Sequence, residues 1–194
     1  MSLKGPVTRD TSSIALGLAQ IRVIASAANI AKIQPQATAS DSVGSLASTK
    51  FMANTDYWKH ESSFPRLEDY TLPIREAASL ECAFEEVSPK NMAFANGIDA
   101  TSGYTEAHSG EVVLGGKTAP AYVRMEAFYT FPNGTNYMHV IFPRAQIVSS
   151  AELDFQAEDA ASIPVTFESK NASSDTSGGN AAWDDKPLGR ILFT

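Results

Sequence analysis

Residues 76 to 97 constrain the fold most, because an alternating strand there runs directly into a short, capped helix. Small and apolar side chains fall on one face of the strand, and Glu81 and Glu85 fall on the other. Ser88 is a favourable N-cap, and Pro89 suits the first helical position, where its missing N–H costs nothing. The strand therefore needs a core on one side and leaves an acidic face on the other.

Composition limits the function classes that remain. The chain has 194 residues, 43% of them apolar, which is enough for a core, and a net charge of −7. A clamp on nucleic acid phosphates needs Lys and Arg, so this charge disfavours one. The single cysteine, Cys82, excludes an internal disulfide and a Cys-rich metal site, and its place on the apolar face predicts a buried thiol. No segment approaches the ~18 uninterrupted apolar residues of a membrane span.

Three segments differ in composition from the rest of the chain. Residues 1–13 read as an N-terminal arm without periodicity, and residues 34–75 as one long loop inside a domain that spans residues 14–170. A loop of this length is usually functional or disordered, and its aromatic residues argue against disorder. We expect it to carry anchors for a neighbouring subunit, unless it folds back over its own core. The anchor candidates are Phe51, Tyr57, Trp58 and Phe64.

The remaining pattern is that of an all-β domain. Strands are predicted near residues 19–25, 111–114, 121–131, 136–142, 145–155 and 163–169, and Asn133-Gly134 provides a hairpin turn. The fold class expected is mainly β: a β-sandwich or barrel with a flanking short α-helix, a long inter-strand loop and extended terminal arms.

Residues 171–194 form a predicted C-terminal extension. Its first ten residues are low in complexity and predict a flexible spacer. The apolar residues beyond that spacer suggest docking, either on the domain itself or on another copy. The docking candidates are Trp183, Ile191, Leu192 and Phe193.

The sequence contains few of the residue patterns that are typical of catalytic sites. The histidines His60, His108 and His139 lie far apart without partners at metal-ligand spacing, so we expect no metal site. No nucleophile elbow or phosphate-binding loop is present, and no cofactor is expected. The sequence therefore favours a protein that is not an enzyme.

Carboxylates on or beside the predicted strands are the remaining candidates for function. A pair of them could serve acid–base chemistry on a sugar, they could form a solvated outer face, or they could line a channel with negative charge. In a channel, the wall would repel DNA phosphates and let the DNA slide. The lumen candidates are Glu81, Glu85, Glu126, Glu152, Asp154 and Glu168.

Two runs resemble the major tail (tail tube) proteins of long-tailed, siphovirus-type bacteriophages. They are LECAFEEVSPKNMAFANG, residues 80–97, and IFPRAQIVSSAELDFQAEDAASIPVTFES, residues 141–169. The resemblance implies that six copies close into a ring by joining sheets edge to edge, and that rings stack into a hollow tube. It also implies arms and a long loop that tie rings together, and an acidic lumen that lets double-stranded DNA pass into the host.

This resemblance implies the setting of the protein as well. The subunit would be made in the bacterial host cytoplasm and would end in the virion tail, with tape measure and tail completion proteins as partners. The alternative from the residues is a carbohydrate- or ligand-binding β-sandwich of a virion or adhesin, with Tyr57, Trp58 and Trp183 as stacking platforms. A hydrolase with a carboxylate pair is a further alternative.

Overall fold

The chain forms a mainly β structure built on one seven-stranded antiparallel sheet. The computed structural model describes residues 17–62, 64, 66–101, 110–115, 119–149, 151–153 and 161–194. The structure also contains two short α-helices, α1 (Ser26–Asn29) and α2 (Pro89–Ala95). The strands are β1 (Gln20–Ala25), β2 (Leu46–Ser62), β3 (Leu67–Phe84), β4 (Tyr122–Thr130), β5 (Tyr137–Ile147), β6 (Ile163–Ser169) and β7 (Arg190–Phe193).

The sheet curls on itself so that its two halves enclose the core. The strand order is β1-β4-β5-β6-β3-β2, and β7 pairs with β5. Phe51 of β2 meets Phe142 of β5 with ring centroids 6.2 Å apart, although two strands, β6 and β3, separate β2 and β5 in the sheet order. The predicted mainly β fold is confirmed, and the alternating strands supply both inner faces of the core.

Helix α2 begins and is capped as the sequence predicts. The Ser88 hydroxyl accepts a hydrogen bond from the Asn91 amide, and Pro89 occupies the first turn. Phe94 on this helix is fully buried and belongs to the same core cluster as Cys82 of β3. The prediction of a buried thiol is therefore confirmed.

The largest correction concerns residues 34–75, which were predicted to be a long loop. Most of this segment is strand: β2 and the first part of β3 form a two-stranded antiparallel hairpin, with Leu46 opposite Phe84 at its base and Ser62 opposite Leu67 at its outer end. The stretch before β2 is irregular, apart from a 3₁₀ turn at Ala39–Asp41. The hairpin was missed because both of its faces are exposed in the outer part, which removes the alternation that marks a half-buried strand.

Two smaller strand predictions are also wrong. The sequence predicts separate strands at residues 136–142 and 145–155, whereas β5 runs without a break through Pro143 and ends at Ile147. A bulge between Val123 and Met125 gives β5 one extra residue there, and bulges tolerate a proline in a sheet. Residues 111–114 were predicted as a strand and form none.

The C-terminal extension is folded onto the domain, so the prediction of a flexible spacer is wrong. Ala172 is buried, its amide donates to Pro187 O, and Asn180 caps a 3₁₀ turn at Ala181–Trp183. Trp183 is fully buried. The predicted arm at residues 1–13 lies outside the described residues. None of the helices that the structure describes is long and apolar enough to cross a membrane.

Candidate interaction surface

The outer part of the β2–β3 hairpin is a ribbon of two strands exposed on both faces. From residue 53 to residue 76, every described residue except Thr55 and Ser62 is exposed. Large apolar side chains are concentrated here, although apolar groups normally lie in a core. They are Tyr57 (57% exposed), Trp58 (46%), Phe64 (100%), Tyr70 (56%), Leu67, Leu72 and Ile74.

Aromatic side chains gather on one face of this ribbon. Trp58 lies opposite Leu72, and His60 lies opposite Tyr70. The rings of Trp58 and His60 are 5.7 Å apart along β2. Residues directly opposite each other share a face, so these four side chains form one patch, which we call the aromatic patch. Three of the four predicted loop anchors lie on the exposed part of the hairpin: Trp58 in this patch, and Tyr57 and Phe64 elsewhere on it.

The fourth anchor, Phe51, lies at the base of the hairpin and lines an apolar groove. The groove runs beneath Phe51 and Val140, between the hairpin and the β4–β5 side of the sheet. Its other lining residues are mostly apolar or small, and they include Ala78, Leu80, Ala127, Met138, Phe142 and Ile191. One molecule thus carries both an exposed apolar ribbon and an open apolar groove.

Polar pairs join the two strands near the outer end of the hairpin. Lys59 Nζ lies 2.8 Å from a Glu68 oxygen, and Asp69 accepts from the Ser62 hydroxyl at 2.6 Å and contacts His60 Nδ1 at 2.7 Å. The hydrogen bond from Lys59 lowers the pKa of Glu68, and the bond from Ser62 followed by the one with His60 lowers the pKa of Asp69. The carboxylates are thus held in the charged form.

Glu126, a predicted lumen residue, cannot line a channel because it is only 2% exposed. Its carboxylate accepts from Arg124 Nε at 2.7 Å and from the amides of Gln36 and Ala37. Arg124 is fully buried as well. The sequence places Glu126 on the outer face of β4 correctly, but it gives no sign that another part of the chain covers that face.

The covering segment is residues 29–37, which we call the strap. Its backbone oxygens are held by side chains from distant elements: Arg124 donates to Asn29, Lys32 and Gln34, and Trp183 Nε1 donates to Ile30 O at 2.5 Å. These bonds satisfy a backbone that has no strand partner of its own. The strap therefore covers the outer face of the β4–β5 half of the sheet at Arg124 and Glu126.

Within the described part of the chain, the outer face of the other half of the sheet is left uncovered. Glu81 and Glu168 lie on neighbouring strands there, each beside a lysine: Lys50 lies 3.5 Å from Glu81, and Lys170 lies 2.6 Å from Glu168. The other lumen candidates are Glu85 and Glu152, which are exposed, and Asp154, which lies outside the described residues.

The predicted docking group at the C-terminus docks on the same chain. Trp183 packs with Ile141 in a small second core on the strap side of the sheet, and β7 pairs with β5 from Arg190 opposite Ile141 to Phe193 opposite Met138. Ile191 and Phe193 remain exposed, and Leu192 is half-buried. The burial of Trp183 excludes it as a stacking platform for a sugar.

The described residues offer little for catalysis. No three His, Cys, Asp or Glu side chains within them come together in a way that could hold a metal ion. Burial raises the pKa of the Cys82 thiol to about 12, which leaves it un-ionised and unreactive at neutral pH. His139 packs edge-on against Phe128 at 4.6 Å, and partial burial lowers its pKa.

Comparison with known proteins gives a weak structural likeness. No family model matches the sequence. No curated protein matches it either. A chain of the PVC sheath–tube complex, an extracellular contractile injection system in its extended state, is similar at 10% identity and a TM-score of 0.47, over 91% of this chain and 88% of that chain. The tube-terminating cap of the anti-feeding prophage is similar at 11% identity and a TM-score of 0.42, over 98% and 99%. At these TM-scores, neither likeness supports a conclusion about function.

Proposed function

We propose that this protein is a structural subunit of a tail tube, in which copies of the chain assemble through the β2–β3 hairpin. The observation that carries the proposal is the exposed apolar surface of the hairpin. A two-stranded hairpin is at best marginally stable alone in water, and among the described elements no further strand or helix packs on its outer part. A partner that covers it is therefore needed to bury these side chains.

The exposed surface is large enough for a specific interface. With about 200 Å² for each aromatic side chain, the exposed fractions of Tyr57, Trp58, Phe64 and Tyr70 amount to about 500 Å². Leu67, Leu72 and Ile74 add to this area. A standard interface buries about 800 Å² per partner, and large exposed apolar patches mark interaction sites.

A second copy of this chain is the partner that we propose. The hairpin and the apolar groove lie on different parts of the molecule, so a hairpin seated in the groove of the next copy is a head-to-tail contact. Such contacts close into a ring when a whole number of equal rotations from one copy to the next adds up to a full turn. Six copies per ring and the stacking of rings are proposed from the resemblance of residues 80–97 and 141–169 to tail tube proteins.

The uncovered outer face of β2, β3 and β6 is the proposed lumen face. Its carboxylates are Glu81 and Glu168, with Glu85 and Glu152 as further candidates. A net charge of −7 per subunit gives the tube a negative field that double-stranded DNA passes without binding. Tape measure and tail completion proteins as partners, assembly in the bacterial cytoplasm and a place in the virion tail are also proposed. The proposal covers long-tailed phages and contractile systems alike.

Negative-stain electron microscopy and sedimentation velocity test this proposal. Purified protein is expected to form rings or hollow tubes as its concentration rises. A variant with Tyr57, Trp58, Leu72 and Ile74 all changed to Ser is expected to stay monomeric and folded, with Lys50→Ser and Asn54→Ser as the matched hairpin control. Monomers of the unchanged protein at every concentration and salt would contradict the proposal.

A further inference from the structure

Strands β6 and β7 follow one another along a single strand position of the sheet, which we call a row. Both are antiparallel to β5 and lie along the same edge of it: β6 is opposite Ala145–Ile147, and β7 is opposite Met138–Ile141. Residues 170–189 leave this row, fold over the outer face and return at Gly189, whose φ of +127° places it in the left-handed region. The row therefore continues from β6 into β7.

The next row of the sheet does not follow this continuation. The far edge of β6 pairs with β3 from Ser79 to Phe84. Before Ser79, β3 pairs only with β2, and β7 pairs only with β5, among the strands that the structure describes. Between these two open edges lies one part of the apolar groove, with a volume of about 170 Å³. Its lining includes Phe51, Ala78, Phe142, Gly189 and Ile191.

The register of the existing pairs fixes how the two edges would meet. Glu168 lies opposite both Ser79 and Gln146, and Arg190 lies opposite Ile141, five residues further along β5. The β5 bulge absorbs one of these five positions. Counting four positions back along β3 from Ser79 places Arg75 opposite Arg190. The next residue of β3 is Ile74, the extra residue of a bulge between Arg75 and Pro73. Ile74 therefore falls next to the position of Ile191, and both residues are exposed in this structure.

We propose that the hairpin is a two-position element that can close on its own β7, and that Arg75 and Arg190 hold it open. Closure adds a third strand to the two-stranded ribbon and brings Ile74 against Ile191, which favours it. Like charges directly opposite each other oppose it, and charged residues are a common protection of open edges. A closed hairpin would keep the β3 and β7 edges from pairing with a second copy. Closure would therefore regulate the same surface as the proposed function, on which this inference rests.

A disulfide trap tests closure. The variant Ile74→Cys/Ile191→Cys is oxidised at low protein concentration, while the buried Cys82 stays unreactive. We expect an intrachain disulfide, read as a mobility shift on non-reducing gels and by peptide mass, and we expect oxidised protein to assemble only after reduction. Asp56→Cys/Ile191→Cys is the control, because Asp56 lies on β2, one strand further from β7.

The charge pair is tested in the same background. Arg75→Glu places a carboxylate opposite Arg190, so the intrachain disulfide should form about fivefold faster than in the parent variant. Equal rates in the two proteins, the same rate in the Asp56 control, or disulfides only between chains would each overturn the proposal. The yield and the rate of the intrachain disulfide do not require tubes, so a failure of the proposed assembly is recognised separately.

Discussion

At the residue scale, Arg124 connects more of the chain than any other charged side chain described above. Its buried guanidinium contacts the buried Glu126 carboxylate and the carbonyl oxygens of three strap residues. Removing one partner of a buried ion pair leaves the other charge uncompensated. The cost is therefore expected to be much greater than for an exposed pair.

We expect Arg124→Met to lower the free energy of unfolding by about 3–5 kcal/mol, measured by urea denaturation. Lys50→Met is the matched control, because the Lys50–Glu81 pair is exposed and should change stability by no more than about 1 kcal/mol. Equal losses in the two variants would show that the buried pair does not hold the strap.

Cys82 gives a second prediction at this scale. Because burial raises the pKa of its thiol to about 12, the native protein should not react with a thiol reagent at pH 8. Labelling should follow the fraction unfolded as urea is added, measured by mass spectrometry. Labelling of the native protein at the rate of the unfolded chain would contradict the buried position of the thiol.

The sequence predicts whether a residue is buried, exposed or capping when this depends only on the residue's own strand or helix. Cys82 and Ser88 follow from alternation and from capping, which are local. The burial of Glu126 and Trp183 does not follow from their own strand or turn, because it depends on the strap and on the C-terminal extension, which cover the sheet through contacts between distant parts of the chain. Arg124 and Glu126 are two positions apart and therefore share a face of β4, so the sequence indicates that they can pair but not that the pair is buried.

At the element scale, the hairpin is the feature that the sequence predicted least well. Its outer part has no core, so cross-strand pairs contribute a large share of its order. The same lack of a core makes it sensitive to pH, because carboxylates take part in those pairs.

We expect the outer end of the hairpin to lose order in acid. The lowered pKa values of Glu68 and Asp69 mean that their pairs stabilise the folded hairpin above the ordinary values of 4.5 and 3.8, and that this contribution is lost as the pH falls through the lowered values. Amide protection factors of monomeric protein for residues 57–72, measured by NMR between pH 6 and pH 2, should fall. Glu68→Gln/Asp69→Asn should show low protection throughout, and an unchanged profile in that variant would refute the assignment.

At the scale of the whole molecule, the class of the fold could be predicted because alternation and turn residues repeat along the chain. The single row shared by β6 and β7, and the strap beneath the C-terminal extension, could not be predicted, because each depends on which strands meet after folding. The candidate interaction surface was predicted in part: the sequence points to its aromatic residues, but they lie on a two-stranded hairpin rather than on a loop.

The lumen face gives a prediction for the assembled tube. Glu85→Lys/Glu152→Lys changes the charge by +4 per subunit, or about +24 per ring of six, the ring size expected from the resemblance. We expect tubes to form but to retain DNA, which normal tubes should not, in a filter-binding assay at low salt. Tubes that release DNA as the unchanged protein does would place these residues away from the lumen.

Hydrogen exchange of the hairpin tests the central claim most directly, because that claim is that another copy covers it. Exchange of residues 53–76 is measured by mass spectrometry in dilute monomer and in the concentrated, assembled protein. The account predicts that exchange in this segment slows by about 100-fold on assembly, while core segments such as β4 change little. Assembled protein in which residues 53–76 exchange as fast as in the monomer would contradict it.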